Sequence, residues 1–221
     1  MFACGLFLGL SCHAEPDQRG ASTVGPKPAP KASAPAPAPS PCAGEQDPPL
    51  TEGFTDTFER AELGPDWHST SYGAYYLKGG KLCISKPRNH PLWLRRRLPT
   101  NVRVSFDASP LTASGDIKAE IFGDGCAFDV AGRDYNATAY VAVLGAHNNS
   151  EHWLTRLNEH GPDAKRTTLL ANAPTIANGK LLQNKPYHVA LTRCDGQELQ
   201  FTVDGVLVHA FADNAPLKER G

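Results

Sequence analysis

The stretch YHVALTRCDGQELQFTVDGVLVHAF, residues 187–211, decides the fold. Residues 187–193 alternate in polarity, Cys194-Asp195-Gly196-Gln197 is rich in turn formers, residues 198–203 alternate again, Asp204-Gly205 turns, and residues 206–211 alternate a third time. A period of two puts successive side chains on opposite faces of a strand. Asp-Gly between two apolar runs is a strong two-residue hairpin signal, because both central positions tolerate positive φ. The segment therefore reads as a three-stranded antiparallel meander.

Working outward, residues 92–98, 102–107, 116–122, 138–144 and 152–158 each have the length and composition of a strand. Stripes of helical period are hard to find, and the crossover helices that a parallel α/β sheet requires are missing. About ten short strands point to an all-β, two-sheet antiparallel sandwich or jelly roll.

That domain does not fill the 221 residues. Ten of the 19 prolines lie in residues 1–50, and residues 26–41 are almost entirely Pro, Ala, Ser and Lys, a composition that cannot bury a core. Residues 51–221 hold 19 Lys and Arg against 19 Asp and Glu, so the globular part is neutral and the chain's formal charge of −1 comes from residues 1–50. Such a balance argues against a nucleic-acid coat, and no apolar run approaches the ~18 residues of a membrane span.

Residues 1–12, MFACGLFLGLSC, have the length of the apolar region of an export signal, although no Lys or Arg precedes Cys12. Lipid attachment at Cys12 and ordinary cleavage after Ala14 are the competing readings. The first resembles a bacterial lipoprotein signal. The expected organisation is an export signal over 1–14, a Pro/Ala-rich linker over 15–50 and the β domain over 51–221, exported to the bacterial cell envelope with any membrane contact made through the lipid, or periplasmic or secreted where no lipid is attached. Cys42, Cys83, Cys126 and Cys194 remain as candidates for two disulfides in any of three pairings. No CxxC pair points to zinc. Cys83, in an alternating run, reads equally well as a small buried apolar residue.

The order of motifs resembles that of the concanavalin A-like lectin/glucanase superfamily. Phe54-Thr55-Asp56-Thr57-Phe58-Glu59-Arg60 with Leu63-Gly64-Pro65-Asp66-Trp67 looks like its first strand and following loop. Pro91-Leu92-Trp93-Leu94, Gly115-Asp116-Ile117-Lys118-Ala119-Glu120, Arg156-Leu157-Asn158-Glu159-His160-Gly161 and the Asp204-Gly205 hairpin then follow in the family's order. The resemblance implies a jelly roll with a concave sheet. It also implies a closing strand beside the first that would lie beyond Gly221, so that the domain is expected to be truncated at its C-terminus. The cofactor expectation is none, apart from the structural calcium some members hold, for which Asp56 is the place to look.

Candidate chemistry concentrates on two strands. Alternation gives Asp116, Lys118 and Glu120 one shared face, and likewise Arg156, Asn158 and His160. Brought onto one concave sheet, as the resemblance implies, these six form a polar groove suited to a carbohydrate or similar polar ligand. A solvated face with cross-strand ion pairs is the plainer alternative. Glucanase members carry an E-x-D-x-x-E or E-x-D-x-E strand. Here Asp116 replaces the first glutamate and Lys118 the central aspartate, and a lysine that pairs with both carboxylates works against a proton-holding acid. The leading expectation is thus a non-catalytic binding module. The alternatives are a glycan hydrolase using Asp116, Glu120 and His160, and a structural envelope protein. Residues 147–150, His-Asn-Asn-Ser, read as a polar turn, with groove contacts as the alternative. Trp67, Trp93 and Trp153 read as core before sugar platforms.

Overall fold

The computed structural model describes residues 47–125, 137–157, 159, 167 and 179–217. The decisive segment folds as read: β9 is Tyr187–Arg193, β10 Glu198–Val203 and β11 Val206–Ala212, with antiparallel neighbours throughout. Asp204 and Gly205 take φ of 49° and 80°, the left-handed pair that a tight hairpin requires. A bulge shifts the β10–β11 register between Phe201 and Thr202 and leaves Val208 with no residue opposite. At the β9–β10 turn, Asp195 Oδ1 accepts both Gln197 N–H and Glu198 N–H at 2.9 Å. The strand β5, Val102–Ala108, pairs along the other side of β9, giving the order β11-β10-β9-β5.

A second antiparallel sheet consists of β6 (Ile117–Ile121), β7 (Tyr140–Gly145) and β8 (Glu151–Arg156), in that order. The two sheets share one hydrophobic core, in which Ile117, Ile121, Tyr140, Ala142, Leu144 and Leu154 meet Phe106, Val189, Leu191, Phe201 and Val203. This is an all-β, sandwich-like arrangement. Burying alternate side chains of both sheets is what fixes strand register here, since a one-residue slip would turn each apolar set to the wrong side. Not every buried strand position is apolar. Arg193 is fully buried, with its guanidinium 3.8 Å from the Phe122 ring centroid and its Nε–H donating to Thr100 O at 2.6 Å.

Two short ribbons complete the described structure: β1 (Trp67–His68) with β4 (Trp93–Leu94), and β2 (Tyr75–Leu77) with β3 (Leu82–Ile84). A separate cluster of Phe58, Trp67, Ala74, Tyr75 and Leu82 underlies them.

Three expectations change. Residues 54–60 form no strand: Phe58 turns to φ 56° and Asp56 becomes the centre of a knot. Its carboxylate accepts Phe58 N–H (2.8 Å), Trp67 Nε1–H (2.7 Å) and both terminal nitrogens of Arg60 (2.5 and 2.7 Å), so its lone pairs are taken by protein donors rather than left for a cation. Of residues 92–98 only Trp93 and Leu94 pair as a strand. Cys194 is a free, exposed thiol and so takes no part in the bridging considered for it, whereas Cys83 is disulfide-bonded. The readings at Cys12, Ala14, Cys42, Cys126, Asn158 and His160 lie outside the described residues. No helix of the described residues is long and apolar enough to cross a membrane.

Candidate functional site

The strand β6 runs Ile-Lys-Ala-Glu-Ile, so its two faces differ sharply. Ile117 and Ile121 enter the sandwich core, with Ala119 packed against it. Lys118 and Glu120 face the other way. Residues directly opposite in an antiparallel pair share a face, and the register aligns Lys118 with Val143 and Trp153, and Glu120 with Val141 and Thr155. Val141, Val143, Trp153 and Thr155 are all buried. This face is therefore no freely solvated sheet.

Its polar centre is Lys118. The ammonium stands 2.6 Å from Glu159 Oε2 and 4.0 Å from Glu120 Oε1, and the two glutamate side chains are only 5% and 6% exposed. Charges taken this far out of water persist only when paired. Lys118 keeps 23% of its side chain accessible and forms the open end of the pair. Asp116, just before β6, reaches solvent, yet it stands where many neighbouring atoms displace water. Desolvation raises its carboxyl above the ordinary value, Glu159 adds to the rise and the Lys118 ammonium opposes it. Burial and then the Glu120 charge also push the Tyr75 phenol up, and that phenol donates to His90 O. His90 Nδ1 in turn contacts Thr70 Oγ1 at 2.7 Å.

The structure thus places Asp116 within reach of the charges of Lys118 and Glu159, and Glu120 beside Lys118. Arg156 does not join them. It is opposite Tyr140, itself opposite Ile121, and so stands on the core side of the sheet. There its Nε lies 2.8 Å from Asp213 Oδ2, which also accepts the Tyr140 hydroxyl at 2.6 Å. The residue missed by sequence is Glu159. Counting by twos from Arg156 assumes that β8 continues, but β8 ends at Arg156 and Leu157 takes φ 60°, which breaks the alternation. A buried acid then meets Lys118 from outside the strand. The one signal available was a glutamate within Asn-Glu-His immediately after an apolar strand.

The tryptophans are structural. Trp67 is bonded to Asp56, Trp153 is 2% exposed, and Trp93 packs its six-membered ring on Gly123, where an added Cβ would lie 2.4 Å from Cη2. The polar turn is an anchor. His147, Asn148 and Asn149 all take positive φ, and buried Asn149 donates to Ala113 O (3.0 Å) and Leu181 O (2.7 Å) while accepting Leu181 N–H (2.8 Å). His147 stays exposed, 3.0 Å from Glu151. A cleft of about 390 Å³ opens between Pro49-Leu50 and residues 97–100, and no member of the Lys118 cluster lines it. Among the described residues no group of three His, Cys, Asp or Glu side chains is arranged to hold a metal ion.

Chemically, the cluster offers carboxylate acceptors fixed around one ammonium donor. Both glutamate oxygens lie within 4.0 Å of the same nitrogen, which bridges them. Such a bridge holds charge and orientation, and it spends the carboxylates that acid–base chemistry would need free. The chain matches no protein-family model, and no curated protein matches it.

Proposed function

We propose that the domain is a non-catalytic binding module for a carbohydrate or a similar polar ligand, built on a concanavalin A-like jelly roll and held at the cell envelope by the exported, lipid-bearing N-terminal segment. The observation that carries the binding reading is the Lys118 ammonium fixed between buried Glu120 and Glu159, with Asp116 accessible beside it. Hydroxyl-rich ligands are recognised by a few polar groups whose positions are set before binding, because prior ordering removes part of the entropic cost. Here β6 and Glu159, three residues past the end of β8, set them, and Asp116 with the open end of Lys118 is the part a ligand reaches.

One observation favours a second reading, hydrolysis of a glycan with Asp116 as acid and Glu120 as its counterpart: the raised pKa of Asp116 is what a proton-holding carboxyl requires. The lysine between the two carboxylates weighs against it, because it stabilises the ionised form of each. Glycan-array binding of the soluble domain, repeated with Asp116→Ala and Lys118→Met, tests the first reading. Release of reducing ends from any bound glycan, abolished by Asp116→Asn, would favour the second.

A further inference from the structure

The domain's even charge is unevenly placed. From Trp67 to Phe106 the chain has eight Lys and Arg and no Asp or Glu. Arg95 and Arg96 are engaged with Asp47 and Asp66, and Arg97 donates to Asp47 O. Lys78, Lys81, Lys86 and Arg88 are different: none forms an ion pair among the described residues, and all but the half-buried Lys81 are exposed.

These four belong to one small unit. Tyr76 pairs with Cys83 across the β2–β3 ribbon, and Lys78 N–H bonds Lys81 O at 3.0 Å to continue it. Alternation then places Tyr76, Lys78 and Lys81 on the face opposite the one that buries Tyr75 and Leu82. Tyr76 is 44% exposed on that face. Lys86 and Arg88 follow in a loop with left-handed φ at both, tied back to the ribbon by Ser85 N–H to Ala74 O and by the Tyr75 hydroxyl to His90 O. Glu59 stands beside Gly80 at the tip, one acid against the four cations of the ribbon and loop among the described residues.

We propose that this ribbon and loop form a second binding surface, separate from the Lys118 cluster, for an anionic polysaccharide. A tyrosine left open between cations lets one sugar ring stack while neighbouring units present carboxylate or sulfate groups to the lysines and Arg88. The tip, Lys78-Gly79-Gly80-Lys81, has no apolar side chain to insert, which disfavours a bilayer. Within the ribbon Tyr76 is the one exposed ring, short of the successive aromatic platforms that single-stranded nucleic acid uses.

The test is binding of the intact chain to polygalacturonate and dextran sulfate, with neutral dextran, single-stranded oligothymidylate and phosphatidylglycerol vesicles as the other arms. Expected are salt-sensitive binding to both anionic polysaccharides and none to dextran. Lys78→Gln and Arg88→Gln should each weaken it about threefold, on the scale of one exposed ion pair, and Tyr76→Ala should weaken it about fivefold. Lys78→Gln, Arg88→Gln and Tyr76→Ala should leave binding of an array-selected glycan at the Lys118 cluster unchanged, so failure here is distinct from failure of the Lys118 site. The single variants alter exposed side chains, and melting curves confirm their folding. The proposal is overturned by absence of polysaccharide binding at low salt, by oligothymidylate or vesicles binding as tightly, or by Tyr76→Ala binding like wild type.

Discussion

Lys118 Nζ stands 2.6 Å from Glu159 Oε2, joining the middle of a strand to a residue 41 positions later that belongs to no strand. Glu159 is 4% exposed, so the pair cannot be exchanged for water contacts at low cost. Lys118→Met should lower unfolding stability by about 2–3 kcal/mol, because it removes a cation paired with two buried carboxylates. Urea unfolding of Lys118→Met, Glu159→Gln and the double variant measures the coupling, and strictly additive losses would show that the pair does not act as one unit.

Asp116 should behave oppositely. Its carboxyl is raised by desolvation first and by Glu159 second, so folding favours the protonated form. The cost of ionising it appears as pH rises above the unfolded value and is complete above the folded one. Asp116→Asn should therefore raise the melting temperature at neutral pH and leave it unchanged in acid, where both variants are neutral at that position. A residue that costs stability at working pH fits a binding role better than a structural one.

Acid should unfold the protein through Asp56 and Asp213. Burial pushes each carboxyl up, but Arg60, Trp67 and the Phe58 N–H outweigh it at Asp56, and the Tyr140 hydroxyl, the Ala215 N–H and Arg156 do so at Asp213, so both are held below the ordinary value. Their contribution is present above the unfolded pKa of about 3.9 and is lost as pH falls through the lower folded values. Tryptophan fluorescence of a variant with Trp93→Phe and Trp153→Phe follows Trp67 at the first site. Asp56→Asn should cost about 2 kcal/mol at pH 7, with the difference from wild type shrinking towards pH 3.

Two glycines should fail for different reasons. Gly205 has open space around it but φ of 80°, so Gly205→Ala should cost about 1 kcal/mol through backbone conformation alone. At Gly123 a new Cβ would lie 2.4 Å from Trp93 Cη2, and Gly123→Ala should cost about 3 kcal/mol by displacing the ring. Chemical unfolding of both variants separates them, and equal losses would contradict the steric account.

The meander was legible because each strand alternates and each turn carries its own chemistry: β9 and β10 begin and end where the polarity pattern does, and Asp204-Gly205 turns as its residues require. Face assignment on β6 was legible for the same reason. What alternation could not show was how the strands align. Arg156 shares a period with its neighbours, but only the β7–β8 register reveals that it lies opposite Tyr140 on the core side. Glu159 was hidden by the left-handed turn at Leu157, and residues 54–60 by Asp56, whose four hydrogen bonds outweigh the strand propensity of two phenylalanines and two threonines. Buried charge on Arg193 contradicts any rule that reads a strand end as solvent.

Calorimetric titration of one array-selected glycan into wild type, Asp116→Ala, Lys118→Met and Arg156→Ala decides whether the Lys118 cluster holds the ligand. The account predicts that the first two variants lose at least about tenfold in affinity, the scale of a charge-assisted contact, while Arg156→Ala, altered on the opposite face, binds like wild type. Equal binding by Asp116→Ala and Lys118→Met, or a loss confined to Arg156→Ala, would contradict it.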